Sequence, residues 1–212
     1  MSVFSQFSRG YGSANRKVVY WLIGINLLFF VLMHLLGFDR LVVLMSMNPI
    51  MVTRGWVWTL ATYMFVHGGF GHILFNMLGL YIFGTRVEEE WGSREFLIFY
   101  LVTGTLAGVF SFVMYFLTGQ HNVWLMGASG AVFAVGFAFA VLYPHAIIYI
   151  WGILPVRAPI MVLGFTVLEV LNALTGGRGN VAHATHLAGY GFAWLYFVFR
   201  LRINPWDRLR MR

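Results

Sequence analysis

The sequence predicts an all-α membrane protein with six transmembrane helices and a long structured first loop. Of its 212 residues, 60% are hydrophobic and 10% are charged, whereas soluble domains carry about 25% charged residues. Residues 18–38 and 96–156 contain no Asp, Glu, Lys or Arg. A transmembrane helix needs about 20 mostly apolar residues, so the second of these segments is long enough for two or more crossings.

Each predicted span is an apolar segment that ends at polar or turn-forming residues. The spans are about 18–37, 71–85, 95–117, 128–142, 158–174 and 182–200. The first is longer than the apolar part of a signal peptide, and no small-residue cleavage site follows it, so we interpret it as a retained span. The fourth is short for a full crossing, and we expect it to begin inside the membrane.

The segment between the first two spans, residues 38–70, is unusually long for a loop without structure of its own. It contains Trp56 and Trp58, and tryptophan favours the membrane–water interface. We therefore expect short interfacial helices in this loop. The predicted parts of the chain are an N-terminal tail (1–17), a membrane domain (18–200) and a basic C-terminal tail (201–212).

The distribution of basic residues orients the spans. An even number of spans places both termini on one side, and that side carries 11 of the 14 Lys and Arg residues. The other side carries Arg40, Arg54 and Arg178. Because Lys and Arg concentrate in cytoplasmic loops, both termini are predicted to be cytoplasmic. This asymmetry also explains the net charge of +7 without a nucleic-acid partner.

The same orientation gathers polar side chains at one depth. Spans two, four and six all run from the outer to the inner face, and they begin near His72, Ser129 and His186 respectively. Asn76 lies one turn below His72. Polar groups at membrane depth are costly and usually functional. The sequence therefore predicts a functional site near the outer face.

Ser129 has the position expected of a nucleophile. The first N–H groups of a helix have no partner within the helix, and they can stabilise the oxyanion that forms when a serine attacks a carbonyl. Gly127 and Gly130 would let a substrate backbone approach closely. Taken alone, Gly-Ala-Ser-Gly is more typical of helix packing, and Ala131 distinguishes it from the Gly-x-Ser-x-Gly motif of soluble hydrolases.

His186 is the candidate general base, because a neutral imidazole can take the serine proton and later return it to the leaving amine. Gly189 and Ala193 form a stripe of small residues that would allow the sixth span to approach the fourth. His72 and Asn76 share a helix face and can both donate hydrogen bonds to an oxyanion. The alternative for these polar residues is hydrogen bonding between packed helices.

His183 and Glu169 are the remaining polar candidates. His183 forms His-x-x-His with His186, and with His72 it could make a metal trio. No acidic residue lies near these histidines in sequence, so we expect no metal and place His183 beside the site. Glu169 is the one acid inside a predicted span, and because an unpaired carboxylate facing lipid is costly, we expect it to face protein or water. It lies in the outer half of span five and could approach the site. We expect a Ser-His dyad rather than a triad, with Glu169 structural or gating. The chain has no cysteine, so thiol chemistry is excluded.

Four segments together resemble the rhomboid intramembrane serine proteases. They are HILFNM (72–77), GASGAVFA (127–134), HLAGYGFA (186–193) and FGTRVEEEWGSREFLIFYLVTG (83–104), which are similar to the family's His-x-x-x-Asn, Gly-x-Ser-Gly, His-x-x-Gly and second-cytoplasmic-loop segments. The resemblance covers all six spans in order and spacing. It implies the minimal six-helix form common in prokaryotes, in an inner or plasma membrane.

The resemblance also implies roles for individual residues. Ser129 would be the nucleophile and His186 the general base, while His72, Asn76 and the Ser129 backbone N–H would stabilise the oxyanion. Phe133 falls where many members have an aromatic residue on the catalytic imidazole, and His67 falls at a histidine often found in the first loop. The family's Trp-Arg pair in that loop is Trp58-Thr59 here, and Arg54 is a candidate replacement.

The implied reaction is cleavage of single-pass membrane proteins near the outer membrane surface, without a cofactor. Expected partners are a transmembrane-helix substrate and membrane lipid; the oligomeric state stays open. Because hydrolysis needs water, we expect a polar cavity open to the outside. Two alternatives are a catalytically silent relative that binds membrane helices and a small proton-linked transporter. The second would call for internal repeats or several mid-membrane charges, which the sequence lacks.

Overall fold

A computed structural model of the chain describes residues 18–34, 37, 39–150, 152–174 and 180–209. The first half contains α1 (Val18–His34), α2 (Asp39–Met45), α3 (Pro49–Thr53), α4 (Thr59–Thr62), α5 (Phe70–Gly79), α6 (Thr85–Trp91) and α7 (Ser93–Leu117). The second half contains α8 (Ser129–Leu142), β1 (Ile147–Ile150), β2 (Leu154–Arg157), α9 (Ala158–Leu174), α10 (Asn180–Phe199) and α11 (Pro205–Leu209). The predicted tail 1–17 lies outside the described residues.

Every predicted span coincides with a helix, but the number of crossings stays a prediction. Among the described residues, α7 alone is a continuous helix long and apolar enough to cross a membrane. The segments Thr59–Phe65 and Phe70–Trp91, bent by 96°, would provide a second crossing if they formed one span. The helices α1, α8 and α9 are apolar but shorter, with 17, 14 and 17 residues.

Helix α8 lies at the centre of the bundle, with α7, α9 and α10 packed around it. Its buried positions include small residues that let neighbouring helices approach, among them Gly130, Ala131 and Ala134. The closest approach is made by α10, because a Cβ added at Gly189 would overlap the carbonyl oxygen of Gly130. The absence of a side chain at Gly189 therefore lets α10 pack directly against α8.

The outer surface of the bundle is apolar. Trp21 on α1, Phe70 on α5 and Leu163 on α9 are 67%, 71% and 62% exposed. Large apolar side chains are exposed on several helices, and hydrocarbon accepts such side chains when the backbone hydrogen bonds are satisfied within helices. The surface is that of a protein embedded in lipid.

The first loop is structured, as predicted, with α2, α3, α4 and a 3-10 turn over Tyr63–Phe65. Trp58 Nε1 donates to the Leu44 carbonyl at 2.9 Å, and Thr59 Oγ1 donates to the Trp56 carbonyl at 2.6 Å. The Trp58-Thr59 pair therefore makes hydrogen bonds within the loop, while Arg54 is exposed. Asn48 Nδ2 donates to the Val123 carbonyl, which ties the loop to the segment before α8.

The connection after the second predicted span differs from the predicted loop. The span was expected to end at 85, but the helix continues through a π-helical turn over Leu80–Gly84 and α6 to Trp91. Gly92, with φ 82°, then reverses the chain directly into α7. On α6 the Glu88 carboxylate accepts hydrogen bonds from the Val18 and Val19 N–H groups, so it caps the start of α1.

A β-hairpin in the connection between α8 and α9 was not predicted. Strands β1 and β2 are antiparallel, and Ile147 lies opposite Arg157. The β-branched and aromatic residues of β1 favour an extended chain, and Gly152 with φ 72° suits the turn. The fold is otherwise helical over the described residues, as predicted, and the difference lies in this connection, which was interpreted as a loop.

Candidate active site

Ser129 and His186 are in hydrogen-bond contact. The Ser129 Oγ lies 2.7 Å from the His186 Nε2, although the residues are 57 positions apart in the chain. Ser129 is the first residue of α8, and His186 lies two turns into α10. The contact follows from the close packing of α10 on α8 at Gly189, one turn after His186. This geometry allows proton transfer between a hydroxyl and an imidazole.

The turn before Ser129 is held by the first loop. Gly127 adopts φ 114°, a conformation that side chains rarely adopt, and its N–H donates to the Tyr63 carbonyl at 2.9 Å. The next N–H, that of Ala128, donates to His67 Nε2 at 3.4 Å. His67 is fully buried. The first-loop histidine therefore supports the turn that presents Ser129.

Phe133 lies against the imidazole of His186. The two rings are stacked, with centroids 4.3 Å apart and planes 15° from parallel. Phe133 is four residues after Ser129 on α8, so the same helix presents the hydroxyl and the ring that supports its partner. This is where the resemblance expected an aromatic residue, and the stack restrains the plane of the His186 ring.

His72 and Asn76 lie on α5 beside the turn. A Cβ at Gly127 would overlap the His72 ring at Nε2, so His72 occupies the space that the missing side chain leaves. Asn76 Nδ2 donates to the His72 carbonyl at 2.8 Å, and its Oδ1 is buried without a partner. The expectation that Gly127 leaves room for substrate needs correction, because protein atoms fill this position. Gly130 is likewise covered, by Ala107 among others.

Glu169 contacts both histidines of the His-x-x-His segment. Its Oε1 lies 3.0 Å from His186 Nδ1 and its Oε2 lies 2.5 Å from His183 Nδ1. The 3.0 Å contact lacks hydrogen-bond alignment, so the buried His186 Nδ1 has no aligned partner. Glu169 is 13% exposed and comes from α9. The sequence left Glu169 as a structural or gating residue that could approach the site, and the structure brings it to His186 because α9 and α10 converge in space.

No acidic residue lies near His183 and His186 in the sequence, but Glu169 on the neighbouring helix α9 approaches them in space. The ligand atoms of Glu169, His183 and His186 all lie within 4.8 Å of one another. The metal trio considered from sequence contained His72, but the structure places Glu169 in that position instead. The sequence-based argument against a metal therefore does not apply to this cluster.

Two further contacts that support the site were not predicted. Tyr63 is fully buried; its hydroxyl donates to the Gly104 carbonyl at 2.8 Å, while its backbone carbonyl holds Gly127. Next to His186, the Thr185 hydroxyl lies 2.6 Å from that of Ser111 on α7. Nothing in the sequence distinguishes Tyr63 from the other aromatic residues of the first loop. Thr185 could have been singled out, because it is a polar residue directly before the candidate base.

Most of the chain matches one protein family. A family model described as the rhomboid domain matches residues 54–203, which contain each of the site residues described above. The chain belongs to the rhomboid family. Family membership makes it an integral membrane protein with a helical fold.

Curated relatives include proteins from plants and bacteria. RHOMBOID-like protein 12, mitochondrial, of Arabidopsis thaliana is 32% identical over 167 residues, or 69% of this chain and 49% of its own length. Rhomboid protease GluP of Bacillus subtilis (strain 168) is 34% identical over 128 residues, or 58% of this chain and 24% of its own length. Putative rhomboid protease YdcA of the same organism is 30% identical over 140 residues, or 65% of this chain and 66% of its own length.

The matched part is thus less than two thirds of each of these relatives, and about half of the first. Their names include both rhomboid proteases and rhomboid-like proteins. The activity of this rhomboid chain must therefore be argued from its own residues.

Proposed function

We propose that this rhomboid chain is an intramembrane serine endopeptidase in which Ser129 is the nucleophile and His186 the general base. The observation that carries the proposal is the 2.7 Å contact between Ser129 Oγ and His186 Nε2. A serine used only for packing needs no imidazole on its hydroxyl. A silent family member needs neither residue, and here both are present and in contact.

The reaction would proceed in two stages. In the first, Ser129 Oγ attacks the scissile carbonyl carbon and His186 Nε2 takes its proton. The tetrahedral intermediate collapses as His186 returns that proton to the leaving amine, which breaks the C–N bond and leaves an acyl-enzyme. In the second, His186 takes a proton from water, the resulting hydroxide attacks the ester, and the proton returns to Ser129. The hydroxyl and imidazole are regenerated without a cofactor.

The oxyanion of each intermediate needs donors. The backbone N–H of Ser129, at the first position of α8, lacks an intrahelical partner and is the first candidate. His72 and Asn76 are the side-chain candidates, because both can donate from α5 beside the Gly127 turn. One such donor typically contributes about 3 kcal/mol to catalysis of acyl transfer.

The supporting residues would keep the base and nucleophile in register. Phe133 holds the ring plane of His186, and Gly189 allows α10 to reach α8. His67 holds the turn before Ser129. Glu169 would accept from His186 Nδ1–H, since catalytic hydrogen bonds are often poorly aligned before substrate binds.

The proposed setting is a membrane domain over 18–200 with six spans, its first loop at about 38–70, and tails at 1–17 and 201–212 in the cytoplasm. The bias of basic residues supports this orientation and places the site near the outer face. The substrates would be single-pass transmembrane proteins reached through lipid. A bacterial plasma membrane is consistent with the Bacillus relatives.

Labelling with a fluorophosphonate probe, together with cleavage of a model transmembrane substrate, tests this function. The wild type should label and cleave, whereas Ser129→Ala and His186→Ala should do neither. Ser46→Ala is the matched control, because Ser46 is a buried serine whose hydroxyl has no hydrogen-bond partner. Labelling that persists in Ser129→Ala would overturn the proposal. A wild type that neither labels nor cleaves would favour a silent helix-binding protein.

A further inference from the structure

We propose that Glu169, His183 and His186 form a binding site for a zinc-class divalent cation, and that occupation of this site switches off the base. The inhibitory effect rests on the proposed function, whereas metal binding itself does not. The three side chains come from two helices, with Glu169 on α9 and the two histidines on α10.

The geometry meets the first requirement of a metal site, which is convergence of ligand atoms. His183 and His186 are three residues apart, so both project from one face of α10. Their Nδ1 atoms each contact a different oxygen of the Glu169 carboxylate, and the three ligand atoms lie within 4.8 Å of one another. Ligands of one zinc ion lie 2.0–2.2 Å from the metal, so only small side-chain shifts would be needed.

The surroundings of the His186 ring add a second observation. Its Nδ1 is buried without an aligned hydrogen-bond partner, although a carboxylate oxygen lies 3.0 Å away. Phe133 stacks on the ring and limits the rotation that would align the two groups. A buried nitrogen whose one close contact is misaligned is poorly satisfied, and a cation held between this nitrogen and the carboxylate would satisfy both groups.

The ligand types select the class of cation. Two imidazoles and one carboxylate suit zinc and neighbouring transition metals, and three protein ligands leave a fourth position for water. Magnesium and calcium prefer oxygen ligands and would bind poorly here.

A bound cation would be incompatible with general-base catalysis. To accept the Ser129 proton at Nε2, neutral His186 must carry its own proton on Nδ1. A metal ion bound at Nδ1 uses the lone pair of that nitrogen, so Nδ1 can no longer carry the ring proton. The proton then lies on Nε2, and the ring stays neutral. The Nε2–H group then faces Ser129 Oγ as a donor and cannot take its proton.

Isothermal titration calorimetry with zinc chloride tests binding on purified Ser129→Ala protein, which keeps all three ligands. We expect one zinc site per chain. Adding Glu169→Gln or His183→Ala should weaken zinc affinity at least about tenfold, because losing even a residue that only supports a metal ligand has an effect of that size. His121→Ala is the matched control, because His121 lies in the loop before α8, away from this cluster. His183→Gln serves if the alanine variant loses helicity. No binding, or equal binding in every variant, would overturn the site.

Fluorophosphonate labelling of the otherwise unmodified chain tests inhibition. Zinc should suppress labelling, EDTA should restore it, and magnesium should have no effect. His183→Ala should need at least about tenfold more zinc than the wild type for the same fractional loss of labelling. The labelling rate of each protein is compared with its own rate without metal. Equal sensitivity of both proteins would overturn inhibition through this cluster. A wild type that never labels would instead refute the protease function, and calorimetry would still decide the metal site.

Discussion

The Glu169 carboxylate lies 3.0 Å from His186 Nδ1, on the opposite side of the imidazole from Ser129 Oγ. The three residues therefore form a continuous series from acid to base to nucleophile. A dyad relies on packing alone to orient its imidazole, and Phe133 provides such packing here. The carboxylate adds an acceptor that would favour the tautomer with its proton on Nδ1, which is the tautomer that general-base catalysis needs.

Replacing this carboxylate should slow chemistry more than binding. In Glu169→Gln, measured with EDTA present, we expect kcat to fall at least about tenfold, or about 1.4 kcal/mol, with KM nearly unchanged. The reason is that the amide can turn its NH₂ group toward the histidines and no longer favours the imidazolium of the transition state. Glu169→Asp, which keeps the charge, should recover part of the rate. Steady-state cleavage decides this, and a wild-type kcat in Glu169→Gln would show that the dyad suffices.

Close packing at Gly189 should be required for activity. In Gly189→Ala the new Cβ would overlap the Gly130 carbonyl oxygen, so α10 must move away from α8 and take His186 with it. We expect loss of labelling and a destabilisation of about 1–3 kcal/mol. Gly191→Ala is the matched control on the same helix, because a Cβ there meets nothing within 4 Å. Thermal unfolding and labelling should separate the two variants, and equal behaviour would contradict the packing argument.

The sequence predicts that Ser129, His186, His72 and Asn76 lie together, because the distribution of basic residues predicts which helix ends share a depth. The structure places Ser129 against His186, and His72 beside Gly127. The sequence was not sufficient to predict the contact between Glu169 and His186. That contact depends on the angle at which α9 meets α10, and side-chain periodicity does not encode this angle. The hairpin of β1 and β2 was missed for a related reason. Its apolar residues fit a membrane-adjacent loop as well as a strand.

The hydrogen bonds from the start of α1 to Glu88 on α6 could not be predicted from the sequence either. They predict an effect on stability that is separate from activity. In Glu88→Gln the carboxylate that accepts the Val18 and Val19 N–H groups is replaced by an amide with one acceptor oxygen. We expect a loss of about 1 kcal/mol in stability, with cleavage per folded molecule unchanged. Glu89→Gln is the control on the same helix, since it makes the same change of charge and leaves the contacts of Glu88 with Val18 and Val19 intact. Chemical denaturation compares them, and equal midpoints would refute the cap.

Gly127 should be needed both for its conformation and for the space it leaves to His72. In Gly127→Ala, φ of 114° becomes strained and the new Cβ overlaps the His72 imidazole. We expect cleavage to fall at least about tenfold, because the turn that presents Ser129 and a candidate oxyanion donor are disturbed together.

Gly119→Ala separates backbone strain from the overlap with His72. Its φ of 70° is also in the left-handed region, but a Cβ there has open space. That control should lose about 1–2 kcal/mol of stability and keep its labelling rate. If both variants lost labelling equally, backbone strain anywhere in this half of the chain would explain the effect, and the specific role of Gly127 beside His72 would be wrong.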